Sequence, residues 1–126
     1  MESSKVSCYN QVVGRSGEKY AVEFLRARGF EILARNYRCG KSEVDIVAQH
    51  GKVISFIEVK TRRTSDFGHP AEAVTRSKQR EIAKVAEYYI CTKGSADVSY
   101  RFDVVVVFLG GPQPVVELIE DAFRIF

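Results

Sequence analysis

Two apolar runs separated by His50-Gly51-Lys52 constrain this chain more than any other feature, because charge interrupts both of them. Glu43-Val44-Asp45-Ile46-Val47-Ala48-Gln49 and Val53-Ile54-Ser55-Phe56-Ile57-Glu58-Val59-Lys60 each read as a strand, and the glycine-bearing stretch between them reads as a hairpin turn. With the loop over residues 50 to 53, Gln49 is expected to pair with Ile54, Val47 with Phe56 and Asp45 with Glu58. Strand side chains alternate between faces, so Glu58 and Lys60 emerge together while Ile57 and Val59 point the other way. Directly opposed residues have Cβ atoms only about 5 Å apart, so the spacing predicts two carboxylates meeting beside an ammonium. Like charges that close are costly without something positive between them. A divalent cation together with Lys60 is the economical answer.

The rest of the chain supports a single folded unit around that hairpin. Its 126 residues can build a core without staples, and 45% apolar with 28% charged content describes a soluble globular protein. Met1 to Ser7 lacks the apolar stretch of a signal peptide, and the longest apolar run, Val104 to Leu109, is too short to span a bilayer. The expected compartment is the cytoplasm. Cys8, Cys39 and Cys91 match neither a disulfide framework nor a zinc knuckle and are expected as free thiols. The net charge is only +3, but Arg35, Arg38, Lys41, Lys60, Arg62, Arg63, Arg76, Lys78 and Arg80 crowd the middle of the chain. A basic belt around an acidic centre suits an approaching phosphate backbone, although lysines and arginines also solvate ordinary surfaces.

Residues 1–13 show no period and read as a flexible N-terminal arm ahead of a domain over 14–126. A helix is expected from Gly14 to Arg28, with Ala21, Phe24 and Leu25 at helical spacing and Gly29 as its cap. Phe30 to Arg38 reads as a strand and Thr61 to Pro70 as a loop. Ile82, Val85, Ala86, Tyr89 and Ile90 mark an amphipathic helix closing at Gly94. Tyr100 to Leu109 is a continuous apolar strand, buried on both sides, and Val115 to Ile119 is the last strand. The fold class expected is α/β, a central mixed sheet flanked by helices in the order αβββαββ, with a meander and one crossover.

Hydrolysis of a phosphodiester needs an activated water, a Lewis acid for the phosphoryl oxygens and help for the leaving alkoxide. Hard cations such as Mg²⁺ prefer carboxylate and carbonyl oxygens with several waters retained, a set that Asp45, Glu58 and the Val59 carbonyl can provide. Lys60 on the same face can orient or deprotonate the water. Glu18 shares a helix face with Ala21, Val22 and Leu25 and is expected to point inward, whether as part of a site or as a carboxylate favoured by the helix dipole. Lys78 and Gln79 open the second helix, where an anion is welcome. His50, in the turn, and His69, in the loop, have no second ligand at zinc spacing. Asp103 follows Arg101-Phe102 and reads as the partner of a neighbouring arginine.

These residues together resemble the PD-(D/E)xK nuclease superfamily, and from Gly14 to Phe123 the chain looks like its bacterial YraN-like family, with a Holliday-junction-resolvase-like fold. The resemblance is carried by Gly17-Glu18 with Ala21, Asn36-Tyr37-Arg38, Glu43-Val44-Asp45, Phe56-Ile57-Glu58-Val59-Lys60-Thr61-Arg62, Phe67-Gly68, Ala73-Val74 with Lys78-Gln79, and Arg101 to Val105. Ser42 stands where such proteins usually carry glycine. The resemblance implies a restriction-endonuclease-like domain in which Asp45 and Glu58 hold Mg²⁺, with Mn²⁺ as a substitute, Lys60 serves catalysis and Glu18 joins the metal shell.

The expected activity is therefore metal-dependent endonucleolytic hydrolysis of DNA, with branched, flapped or Holliday-junction structures as candidate substrates and Lys41, Arg62, Arg63, Lys78 and Gln79 on the phosphates. Shape rather than base sequence is the expected basis of recognition, since no helix displays a run of base-reading side chains. A C₂ homodimer would supply two sites for two strands. The alternatives are a module that grips nucleic acid without cutting it, and an assembly partner that docks an acidic protein. Binding alone does not require clustered carboxylates, which repel phosphate, and that favours the enzyme.

Overall fold

In the computed structural model, which describes residues 17–63 and 74–124, a helix over 17–27 (α1) leads into three strands, Glu31–Cys39 (β1), Ser42–His50 (β2) and Val53–Arg62 (β3). Helix Arg76–Lys93 (α2) and strands Ser99–Phe108 (β4) and Val115–Ile119 (β5) follow. The five strands form one sheet in the order β1-β2-β3-β4-β5, antiparallel throughout except for the parallel β3–β4 pair. The expected arm over residues 1–13, Cys8, His69 and most of the expected 61–70 loop lie outside the described residues.

Local chemistry explains the first three connections and the start of α2. Gly40 and Gly51 open two-residue hairpin loops at φ 61° and 60°, so Cys39 pairs with Ser42 and His50 with Val53. His50 is thus the last residue of β2 rather than part of the turn, and its ring lies 4.9 Å from that of Phe30. Gly29, at φ 92°, ends α1: Phe30 N donates to Leu25 O and Gly29 N to Arg26 O, both at 3.0 Å. Thr75 caps α2, its hydroxyl accepting from Lys78 N at 3.2 Å. A parallel pair needs a long crossover, and α2 supplies it between β3 and β4.

Both faces of the sheet are covered. Ala21, Val22 and Leu25 of α1 pack with Phe30 on Ile46, Ala48, Ile57, Val105 and Val107. On the other face Ile82, Val85, Ala86 and Tyr89 of α2 meet Val44, Val47, Ile54, Phe56, Phe102, Val104 and Val106. Residues 102–107 are accordingly all buried, as a double-sided apolar strand requires. β3 runs on to Arg62, past the point where the sequence reads as loop, because Thr61 and Arg62 stay paired with Val107 and Phe108. Cys39 and Cys91 are free thiols. Among the described residues no helix is long and apolar enough to cross a membrane.

One buried charge lies away from the hairpin. Asp103 is fully buried, accepting from Arg101 Nε at 2.8 Å and Nη2 at 2.9 Å, from Ser55 Oγ at 2.5 Å and from Asp121 N at 2.8 Å. The expected arginine partner is Arg101, and the whole arrangement ties β3, β4 and the turn after β5 together.

Candidate acidic site where β2 leaves β3

Gln49 pairs with Ile54 and Val47 with Phe56 as expected, in a ladder that runs from His50 and Val53 to Ile46 and Ile57 and stops there. Asp45 is therefore not the ladder partner of Glu58. Its Oδ2 instead accepts from Val59 N at 2.8 Å, taking the place of a backbone carbonyl. The cause is a break in alternation within β2. Val44 and Val47 both face the α2 layer, whereas Ile46 and Ala48 face the α1 layer. Across from Asp45, Asn36 of β1 sits at φ 51°, a left-handed conformation that asparagine tolerates better than most residues. Strand β2 turns away at this point.

The departure creates the site. Residues paired across an antiparallel ladder exchange both of their backbone bonds, so the N–H and carbonyl of Val59 share one edge of β3, the edge that β2 has vacated. Glu58 is 7% exposed, and its Oε2 is buried without a hydrogen-bond partner. Lys60 Nζ lies 3.9 Å from Glu58 Oε1, and Lys78 Nζ lies 4.0 Å from Oε2, reaching across from α2. Burial first, and then the charge of Asp45, push the Glu58 carboxyl up to about 7, with Lys78 and Lys60 pulling against both.

Glu18 enters from the other layer. It is half-buried on α1, facing inward as its spacing implies. Burial and the nearby charges of Asp45 and Glu43 hold its carboxyl above the ordinary value, against the pull of Arg35. The Asn36 amide, oriented to satisfy both of its ends, donates to Glu18 Oε1 at 3.1 Å and to Glu43 Oε1 at 2.8 Å. Glu43 also pairs with Arg38 at 2.8 Å. Sequence reading passed over Asn36 and Glu43 as site residues. The available signal was an asparagine in the middle of an otherwise regular strand.

Gly17 explains how α1 comes so close. It is buried, and a Cβ at this position would collide with the Thr61 side chain. Thr61 is β-branched and stiff at χ1, so it cannot easily yield. Gly17→Ala is expected to cost about 1–3 kcal/mol in urea unfolding, and adding Thr61→Ala should recover part of that loss in a double-mutant cycle.

The remaining expected phosphate contacts are dispersed. Gln79 Nε2 donates to Val74 O at 3.0 Å and so helps to cap α2. Arg62 Nη1 donates to Thr61 O at 3.1 Å, Arg63 is exposed just beyond β3, and Lys41 is exposed in the β1–β2 turn. Lys78 is the one that turns to the carboxylates.

Among the described residues no group of three or more His, Cys, Asp or Glu side chains gathers closely enough to hold a metal. The pair that does gather is Asp45 and Glu58. Two carboxylates with an orphaned buried oxygen, next to a strand edge left open at a backbone carbonyl, form an all-oxygen donor set. This fits a hard cation that keeps most of its waters, as Mg²⁺ does.

Fold and site define an α/β protein with a five-stranded mixed sheet and one helix layer on each face, bearing a lysine-flanked carboxylate pair where two strands part. The model of the Uncharacterised protein family UPF0102 matches residues 17–107, and the chain belongs to that family, the one it resembles as YraN-like. A UPF0102 protein of Caldicellulosiruptor saccharolyticus is 50% identical over 113 residues, covering 88% of this chain and 96% of the relative. One from Chloroherpeton thalassium is 44% identical over 123 residues, covering 91% and 95%, and one from Dictyoglomus thermophilum is 52% identical over 100 residues, covering 79% and 85%.

Proposed function

We propose that this protein is a metal-dependent endonuclease of restriction-endonuclease-like, PD-(D/E)xK type, hydrolysing DNA phosphodiesters with a preference for branched or flapped structures. The observation that carries the reading is Glu58: a buried carboxylate beside Asp45, with one oxygen that accepts no hydrogen bond and two lysines about 4 Å away. A purely structural pair this buried would close to hydrogen-bond distance, whereas both lysines stand off at 3.9 and 4.0 Å. A binding surface for phosphate would not place two carboxylates together.

Asp45, Glu58 and the Val59 carbonyl are the residues that would hold Mg²⁺ or Mn²⁺, which supplies Lewis acidity and neutralises phosphoryl charge when bound. The Asp45 side chain is already oriented by its bond from Val59 N. Lys60, on the face of Glu58, positions the attacking water and takes up its proton or stabilises the charge that develops. Lys78 holds positive charge at the same carboxylate and offsets its repulsion of the incoming phosphate. Glu18, reached through Asn36 and the field of Asp45, completes the acidic lining from α1. Two copies related by a two-fold axis would cut both strands, and light scattering with and without junction DNA tests that arrangement.

The test is cleavage of labelled branched, flapped, single-stranded and duplex DNA in Mg²⁺, Mn²⁺ or EDTA. Wild type should cut only with metal, and Asp45→Ala, Glu58→Ala and Lys60→Ala should still bind but not cut. Tight binding without cutting by wild type, across every substrate and metal, would replace the enzyme with a module that only grips nucleic acid.

A further inference from the structure

The first turns of α2 carry a second cationic feature besides Lys78. Arg76, Gln79 and Arg80 face Arg124 of the segment after β5 across a cavity of ≈ 220 Å³, and no carboxylate is among the described residues that line it. Elsewhere in the fold arginines meet acids, as Arg38 does Glu43 and Arg101 does Asp103. Arg76 and Arg80 have no ion pair among the described residues, and both are exposed one helical turn apart. Arg124 does have one, since its Nε and Nη2 bond Asp121 Oδ2 at 3.1 and 2.8 Å, which leaves Nη1 outside that contact. The segment carrying it is anchored: Ala122 N donates to Phe102 O at 2.8 Å, and the Phe123 ring stacks on Phe102 at 5.2 Å.

We propose that this groove is a binding site for a backbone phosphate of the DNA strand leading away from the carboxylate pair, an inference that rests on the nuclease reading above. Guanidinium forks from two separate elements suit the oxygens of a phosphate. The described residues that line it are three arginines and a glutamine, groups that bind backbone phosphate rather than stack on a base as an aromatic ring would. Its place in the fold fits a strand crossing the site. Lys78 sits between Arg76 and Gln79 in sequence and turns to Glu58, so α2 presents cations to the carboxylates and to the groove from the same turns.

The test is fluorescence anisotropy of labelled flapped and single-stranded DNA in EDTA, where cleavage plays no part, at several salt concentrations. Arg76→Gln/Arg80→Gln should weaken binding about tenfold and flatten the log–log salt slope by about 1.5 to 2, and Arg124→Gln should weaken it less. Lys19→Gln/Arg26→Gln, which removes the same charge from exposed positions of α1, should leave binding close to wild type. Unchanged thermal melting of these exposed-site variants keeps folding out of the comparison. If the α1 pair weakens binding as much as the groove pair, the groove is merely part of a diffuse field and the proposal fails. It also fails if wild type cuts DNA while the groove variants bind and cut as wild type does, an outcome that leaves the nuclease reading standing. Inorganic phosphate distinguishes the remaining source: broadening of its ³¹P signal by wild type but not by the groove variants, with DNA affinity equal in all, would make the groove a site for free phosphate and overturn the strand assignment.

Discussion

Glu58→Gln should lower metal-dependent cleavage by about 10³-fold while making the protein more stable above neutral pH, a combination that a purely structural glutamate would not produce. The sign follows from the raised carboxyl. Glu58 titrates at about 7 in the fold against 4.5 ordinarily, so folding favours the protonated acid. That contribution is fully present below about pH 4.5 and is lost as pH rises through about 7, so the ionised group costs up to about 3 kcal/mol at higher pH. Glutamine cannot ionise. Urea unfolding should therefore find the variant more stable than wild type at about pH 8 and indistinguishable from it near pH 4.5, apart from the small change in local packing. Mg²⁺ should act in the opposite sense. It should stabilise wild type alone, and more strongly as pH rises past about 7, since a bound carboxylate must be ionised. A wild-type stability curve without this slope, together with no response to Mg²⁺ or Mn²⁺, would remove the physical basis of the proposed centre.

Asp103→Ala should be the most destabilising single change in the sheet, by about 3–5 kcal/mol, because it orphans several partners at once. The Arg101 guanidinium loses its bidentate acceptor, the buried Ser55 hydroxyl is left unpaired, and Asp121 N–H loses its bond. Asp103→Asn keeps the shape but gives up the charge and one acceptor oxygen, and should fall between the two. The shift belongs in the urea midpoint with an unchanged slope. Residual Mg²⁺ binding by the folded fraction should match wild type, since Asp103 contributes nothing to the carboxylate pair. A midpoint shift worth less than about 1 kcal/mol would mean that the network is dispensable.

Much of this was legible in the chain because the signals are local. Alternating apolar residues around Gly51 placed Gln49 against Ile54 and Val47 against Phe56, and both pairs are present. Helical spacing turned Glu18 inward, and the arginine close before Asp103 pointed to the partner that it has, Arg101. Membership in UPF0102 was legible as well, because the motif segments spread over nearly the whole chain. What failed depended on distant parts. Asp45 and Glu58 looked directly opposed because strict alternation was assumed, whereas the left-handed backbone of Asn36 and the facing of Val44 turn β2 away one position earlier. That Lys78 also turns to Glu58 was not legible, because only the docking of α2 on the sheet brings the two together. Ser55 as a partner of Asp103 needs the parallel register of β3 and β4, which no local pattern encodes.

The crossover also sets a chronology for the folding chain. A two-residue hairpin closes through neighbours in sequence alone, so Asp45 and Glu58 can be drawn together while α2 is still unattached. Lys78 reaches Glu58 only through the packing of α2 on the sheet, which needs a longer loop to close. The negative charges can therefore meet before one of their two cations arrives, and the repulsion between them is eased only when α2 packs on the sheet.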